Sequence, residues 1–384
     1  MRLQFATARQ IHFGEGVLLE VLPTLVKPGS RILVVQGRHS TASPKVIQFA
    51  RSVGGVTAQF EVSGEPDLAT IEAGRALAQD FRPEVILTVG GGSVMDTGKA
   101  ISGLMNNPGE VTDYLEVVGA GKPLLAAGPP VIAIPTTAGT GAEVTRNAVI
   151  GLPDRGVKVS LRASHLLPHV AIVDPELTYS VPPDVTAHSG MDALAQLIEP
   201  FVSIRSNPLT DLFCRDGMAR VGRWLPSAYR DGADRDARRE MSYASLLGGL
   251  ALANAGLGVV HGFAGVIGGM NRASHGAICA RLLGPVVSAN FAAIQKVDQV
   301  SPILGKYREV AGLVTGKKQA TVQDLVAWID GLCLDMHIPS LRDLGIRSED
   351  FGLMVERVAV ASSTKANPVK LERDELFRIL DSAW

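Results

Sequence analysis

The rhythm of apolar positions changes once along this chain, near Thr178–Pro183. Before that point, short runs rich in β-branched residues alternate with longer amphipathic stretches. Residues 31–35, 56–62, 83–89, 130–134 and 169–173 read as strands, the continuously apolar ones as strands buried on both faces of a parallel sheet. Residues 17–26, 44–53 and 67–81 read as helices between them. Residues 5–16 alternate and end on Gly14 and Gly16, the pattern of an edge strand with a turn. Residues 147–152 and 157–161 flank Pro153-Asp-Arg-Gly156 as a hairpin. Strands alternating with helices predict an α/β domain with a doubly wound, Rossmann-like sheet.

After Val181-Pro-Pro183 no convincing strand remains. Amphipathic stretches take over at 185–204, 208–228, 234–255, 275–294, 303–313, 321–335, 348–362 and 371–380. The expected division is an α/β domain over residues 1–180 and an all-helical domain over 181–384.

The length, 384 residues, suits two domains, and 46% hydrophobic residues suffice for their cores. A net charge of −1 gives no electrostatic case for nucleic acid or an anionic membrane. Cys214, Cys279 and Cys333 are odd in number and form no C-x-x-C, which points to a reducing compartment without disulfides. The N-terminus shows no apolar core of a signal peptide, and no uninterrupted apolar run approaches about 18 residues. A soluble cytoplasmic protein is expected.

Two loops carry candidate phosphate chemistry. Val89-Gly90-Gly91-Gly92-Ser93-Val-Met-Asp96-Thr-Gly-Lys99 places three glycines after a buried strand and opens a helix. Backbone N–H groups there can approach an anion, and Ser93 can cap the helix or donate to a phosphate. Pro135-Thr136-Thr137-Ala-Gly139-Thr140-Gly141-Ala-Glu143 follows the next strand and offers three hydroxyls at the same carboxyl edge. Two such loops suggest a dinucleotide. The usual G-x-G-x-x-G is absent. A second constellation lies in the helical half: Asp192 and Gln196 one turn apart, His261, and His275 in Ala273-Ser-His-Gly276. A carboxylate, two imidazoles and an amide converging from three helices would suit a borderline divalent cation.

Gly90-Gly-Gly-Ser-Val-Met-Asp96-Thr-Gly-Lys99, Pro135-Thr-Thr-Ala-Gly-Thr-Gly-Ala-Glu143, Gly190-Met-Asp192-Ala-Leu and His261…His275-Gly resemble the iron-containing (group III) alcohol dehydrogenases. The resemblance runs from Phe5 to about Trp384, including Ile11-His-Phe-Gly-Glu-Gly16 and Asn367-Pro368. It implies an NAD(P)-binding α/β domain, a helical metal and substrate domain of the dehydroquinate synthase-like superfamily, and a divalent metal, iron or zinc. The family's Asp and late pair of His fall on Asp192, His261 and His275, which would act catalytically through the metal. A His expected one turn after the Asp is Gln196 here, a weaker neutral donor and a doubtful fourth ligand. A His expected near the nicotinamide is Gly265. His188, one turn before Asp192, is a candidate to compensate. The cofactor path implied by the resemblance runs along Gly91, Gly92, Ser93, Asp96, Thr136, Thr137, Thr140, Asn147, Lys158 and Leu177.

Where relatives that prefer NAD carry an acidic residue after the second strand, this chain has Gly37, followed by Arg38, His39 and Ser40. Loss of the carboxylate beside a guanidinium favours NADP(H) over NAD(H). The expected reaction is hydride transfer between nicotinamide and a small alcohol or aldehyde. Gln196 and Gly265 keep two alternatives open: a metal-independent reductase of an activated keto acid, resembling maleylacetate reductases, and a dinucleotide-binding pseudoenzyme. Leu3, Phe5 and the N-terminal edge strand suggest pairing with a second subunit as a homodimer or higher homo-oligomer.

Overall fold

The computed structural model describes residues 3–38 and 40–384; His39 of the loop after the second strand lies outside them. The chain forms two compact units. The first comprises Ala6–Thr137 and Gly141–Val181. The second comprises Pro182–Trp384, with Ala138–Thr140 and the N-terminal residues up to Phe5.

The α/β unit contains β1 (Gln10–Phe13), α1 (Val17–Leu25), β2 (Arg31–Gly37), α2 (Ser43–Ser52), β3 (Val56–Val62), α3 (Leu68–Phe81), β4 (Val85–Gly90), α4 (Gly92–Met105), β5 (Val131–Pro135), β6 (Asn147–Leu152), β7 (Val157–Arg162) and β8 (Val170–Val173). Six strands form a parallel sheet in the order β1-β8-β5-β4-β2-β3. The pair β6–β7 is an antiparallel hairpin. Strand periodicity sorts the core onto two faces. Ile32 and Val34 of β2 join Leu87, Val89, Ile132 and Ile134 beneath α1 and α2. Leu33 and Val35 turn the other way, to the side of Ala78 on α3 and Ile101 on α4. Each such aliphatic side chain contributes about 1.5–3 kcal/mol on burial. At Gly98 on α4 a Cβ would stand 2.1 Å from the Thr88 methyl of β4. Only glycine lets this helix settle so close to its strand, which places the start of α4 over the carboxyl end of the sheet.

The expected strand over 5–16 is corrected: only Gln10–Phe13 pairs, in parallel with β8. Phe5 instead stacks its ring 5.8 Å from that of Phe213 in the helical unit.

The helical unit contains α5 (Pro183–Val202), α6 (Pro208–Arg230), α7 (Arg235–Ala255), α8 (Val259–Met270), α9 (His275–Val297), α10 (Pro302–Thr315), α11 (Val322–Asp335), α12 (Phe351–Val360) and α13 (Arg373–Ala383). Starts are set by local chemistry: prolines in the first turn of α5, α6 and α10, and capping boxes at Asn207, Thr321 and Glu372. α5 is continuously buried from Gly190 to Val202 and packs against α6, α7 and α9. A helix is expected at His261 but no amphipathic stretch bounds α8, because Gly262, Gly265, Gly268 and Gly269 weaken its propensity by about 1 kcal/mol each. Its cap is supplied from elsewhere in the unit. Asn367 Oδ1 accepts from Val259 N–H (3.3 Å) and Glu199 Oε1 from Val260 N–H (2.7 Å). α9 is long and apolar enough to cross a membrane by composition, yet 67% of that stretch is buried. It is a core helix of this unit, packed on α5, α8 and α11.

Candidate metal centre

Helical spacing puts Asp192, Gln196 and Glu199 of α5 on one face, at intervals of four and three residues. α8 brings His261 to that face, and α9 brings His275 and, one turn later, Cys279. The approach of α9 to α5 depends on Gly276, where a Cβ would fall 2.3 Å from the His188 carbonyl oxygen. One donor atom from each of Asp192, His261, His275 and Cys279 lies within 4.8 Å of all the others.

The hydrogen bonds orient these donors. Glu199 Oε2 stands 2.6 Å from His261 Nδ1, while its Oε1 holds the first turn of α8, so the carboxylate fixes both ring and helix. His261 Nε2 is thereby aimed at Asp192 Oδ1, 3.2 Å away. The Gln196 amide donates to the other Asp192 oxygen at 2.8 Å. Asp192 Oδ1 also lies 3.8 Å from His275 Nε2, and Cys279 Sγ lies 3.7 Å from that nitrogen. Nearby, Asn367 donates to Asn290 through its amide (2.7 Å), and the buried Tyr307 hydrogen-bonds with Asn290.

Burial acts on every charge here. It raises Asp192, but the His261 hydrogen bond and the charges of His275 and His261 prevail, and the carboxyl sits below its ordinary value. Burial would lower His261, yet the Glu199 charge and hydrogen bonds to Asp192 and Glu199 push it up to about 10.

The donor set fits a divalent cation. It unites carboxylate, imidazole and thiol groups at one point, with the outer nitrogen of His261 committed to a carboxylate. The Gln196 oxygen, on a residue 3% exposed, has no hydrogen-bond partner among the described residues, an arrangement that is costly unless a cation or donor meets it.

At the sheet's carboxyl edge, Thr136 N–H donates to the Gly90 carbonyl (3.0 Å), joining the ends of β4 and β5. Gly91, the residue capping α4, lies against Thr137, and Gly37 lies over Val94 of α4. Ser93 is not the cap, contrary to one expectation; it sits inside the first turn, and no side chain among the described residues caps this helix. Asp96 is engaged on both oxygens, by Lys99 (2.9 Å) and Val149 N–H (3.0 Å). Lys158 pairs with Glu65, and Asn147 opens β6. Leu177 packs on the core beneath α1, and Thr140 belongs to the helical unit. Arg38 pairs with Glu61 at 2.8 Å.

The family description for iron-containing alcohol dehydrogenases matches residues 8–175, and its C-terminal counterpart matches 186–384. The chain belongs to the iron-containing alcohol dehydrogenase family. It is 34% identical to the NAD-dependent methanol dehydrogenase of Bacillus methanolicus, over 96% of this chain and 97% of that one. It is 31% identical to the NADPH-dependent butanol dehydrogenase of Clostridium saccharobutylicum, over 100% and 98%. A crystal structure of 1,3-propanediol oxidoreductase shares the fold with a TM-score of 0.90 and 30% identity, each chain covered completely. Membership makes the chain a metal-dependent, nicotinamide-linked oxidoreductase acting on alcohols, with the dehydroquinate synthase-like fold.

Gln196 reaches Asp192 through its amide, and Gly265 leaves open space, with nothing within 4 Å of where a Cβ would stand. His188 meets Ser274 Oγ through Nδ1 at 3.2 Å and is not among the four donors that lie within 4.8 Å of one another. Two participants escape a reading of the sequence. Glu199 follows Asp192 by seven residues and Cys279 follows His275 by four, spacings that already put each on its neighbour's face.

Proposed function

We propose that Asp192, His261 and His275 hold a divalent metal, iron or zinc, and that the enzyme interconverts a small alcohol and aldehyde with NADP(H) favoured over NAD(H). The observation that carries this reading is the convergence of three donors from α5, α8 and α9, with His261 locked from behind by Glu199. When bound, the cation supplies Lewis acidity toward the substrate oxygen. Glu199 keeps a proton on His261 Nδ1, which presents Nε2 as the ligating atom. Gln196 holds Asp192 Oδ2, which turns Oδ1 toward the two imidazoles. Gly265 offers no imidazole, so the reaction proton would have to be carried by water, by another residue or by ribose hydroxyls of a bound cofactor. Gly91, Gly92, Ser93, Thr136 and Thr137 take the pyrophosphate, with Gly37 and Arg38 toward the adenosine ribose and Asp96, Thr140, Asn147, Lys158 and Leu177 completing the path. The three cysteines, which form no disulfide, support a cytoplasmic setting, and the edge position of β1 supports a homodimer.

The test couples elemental analysis of purified protein to NADPH oxidation with short aldehydes, before and after chelation. Stoichiometric metal and chelator-sensitive turnover are expected. Turnover that survives complete metal removal would replace this reading with a metal-independent keto-acid reductase.

A further inference from the structure

We propose that Cys279 supplies the fourth ligand that relatives take from a histidine at position 196, so that Asp192, His261, His275 and Cys279 form a thiolate-containing site selective for zinc. The inference rests on the first three residues holding the metal and concerns what completes them.

Three observations lead to it. First, the thiol is in place: Cys279 is fully buried, its sulfur lies 3.7 Å from His275 Nε2, and that sulfur belongs to the set of donors within 4.8 Å of one another. Second, the architecture is a mirrored exchange. Asp192 and Gln196 are one turn apart on α5, and His275 and Cys279 are one turn apart on α9, with Gly276 holding the two helices together. The donor lost from the first pair reappears in the second. Third, Gln196 offers the weaker donor: an amide N–H is turned to Asp192, which leaves only an amide oxygen for a cation. Its oxygen is neutral, whereas a thiolate carries charge. Asp192 and an ionised Cys279 together match a divalent cation, the thiol proton leaving to solvent as the metal enters. Thiolate with imidazole and carboxylate selects zinc by softness and by tetrahedral preference, against the harder ions that oxygen-rich sites choose. The other two cysteines serve elsewhere: Cys333 donates to the Ala280 carbonyl, and Cys214 lies beside Asp211, Arg215 and Lys306.

The test is spectroscopic. The full chain is produced with cobalt(II) in place of its native metal, and a thiolate-to-cobalt charge-transfer band in the near ultraviolet is expected. Cys279→Ser should lose the band and weaken zinc binding at least roughly tenfold in competition with a chromophoric chelator, by comparison with the loss seen for outer-shell partners. Cys214→Ser and Cys333→Ser should keep the band, which assigns it to Cys279 even if Cys279→Ser fails to fold. Cobalt bound to the wild type without the band, or a band that survives Cys279→Ser, overturns the proposal and leaves the three-residue reading intact. Folded wild type that binds no cobalt overturns both.

Discussion

The nucleotide end of the α/β unit and the donor cluster of the helical unit solve opposite electrostatic problems. In the α/β unit three charged pairs are closed: Asp96 with Lys99, Lys158 with Glu65, Arg38 with Glu61. The first turn of α4 has no side-chain cap, so its backbone N–H groups suit the proposed phosphate contact. In the helical unit the candidate site is made of the side chains themselves. Two buried carboxylates, two imidazoles, a thiol and an amide oxygen crowd together, and their charges are settled only with one another. A backbone site tolerates changes in surrounding charge, whereas a buried side-chain site loses several kcal/mol when one partner is removed.

Glu143 is the place to break that contrast, because it is a buried carboxyl in the α/β unit. Burial pushes it up to about 7, against a hydrogen bond from its own backbone and the charge of Lys99. The Lys99 ammonium is taken by Asp96, the Ala142 carbonyl and the Thr145 hydroxyl. Between its ordinary value of 4.5 and about 7, the folded chain keeps a proton on Glu143 that the unfolded chain releases. Stability therefore falls as pH rises through that window and is level above it. Glu143→Gln should flatten the slope and stabilise the protein at about pH 8 by at most about 3 kcal/mol. Urea unfolding across the window measures this, and an unchanged slope would show that Glu143 is better compensated than its surroundings indicate.

Glu199→Gln sharpens the contrast from the other side. The amide retains an oxygen for Val260 N–H but turns an N–H toward His261 Nδ1, so that ring must protonate Nε2, the atom that faces Asp192. Metal affinity should fall roughly 10–100-fold, the range for lost outer-shell partners. Glu65→Gln neutralises an ion pair in the α/β unit and should leave metal affinity unchanged. Equal losses in both variants would mean that global stability, and not orientation of His261, sets the affinity.

The same contrast explains what can be read from the chain alone. Strands such as Val56–Val62 and the glycine-rich turn at Gly90–Gly92 are contiguous signals, so periodicity and turn chemistry locate them directly. The donor cluster draws on α5, α8 and α9, and only folding makes it a unit. Asp192, His261 and His275 stand out through a family motif, while Glu199 and Cys279 have spacing alone to mark them. α8 is hidden because its cap comes from Glu199 and Asn367, and no local rule sees an acceptor 61 or 108 residues away. Ser93 looks like a cap because serine usually is one, but the chain turns into the helix at Gly91.

The smallest effect concerns Arg38, where a surface charge and not a buried one decides. Its guanidinium is 58% exposed and meets Glu61 at 2.8 Å. An exposed pair of this kind is worth about 0–1 kcal/mol, so a 2′-phosphate can displace Glu61 at little cost. Arg38→Ala should lower kcat/KM for NADPH roughly three- to tenfold, while NADH changes less than about twofold, the loss of one charge-assisted contact. Glu61→Gln should move the ratio the other way, since the competing carboxylate is gone. Steady-state kinetics with both cofactors decide it. If Arg38→Ala leaves the NADPH-to-NADH ratio unchanged, the guanidinium points to solvent during turnover, and the loss of an acidic residue at Gly37 would not by itself produce a preference for the phosphorylated cofactor.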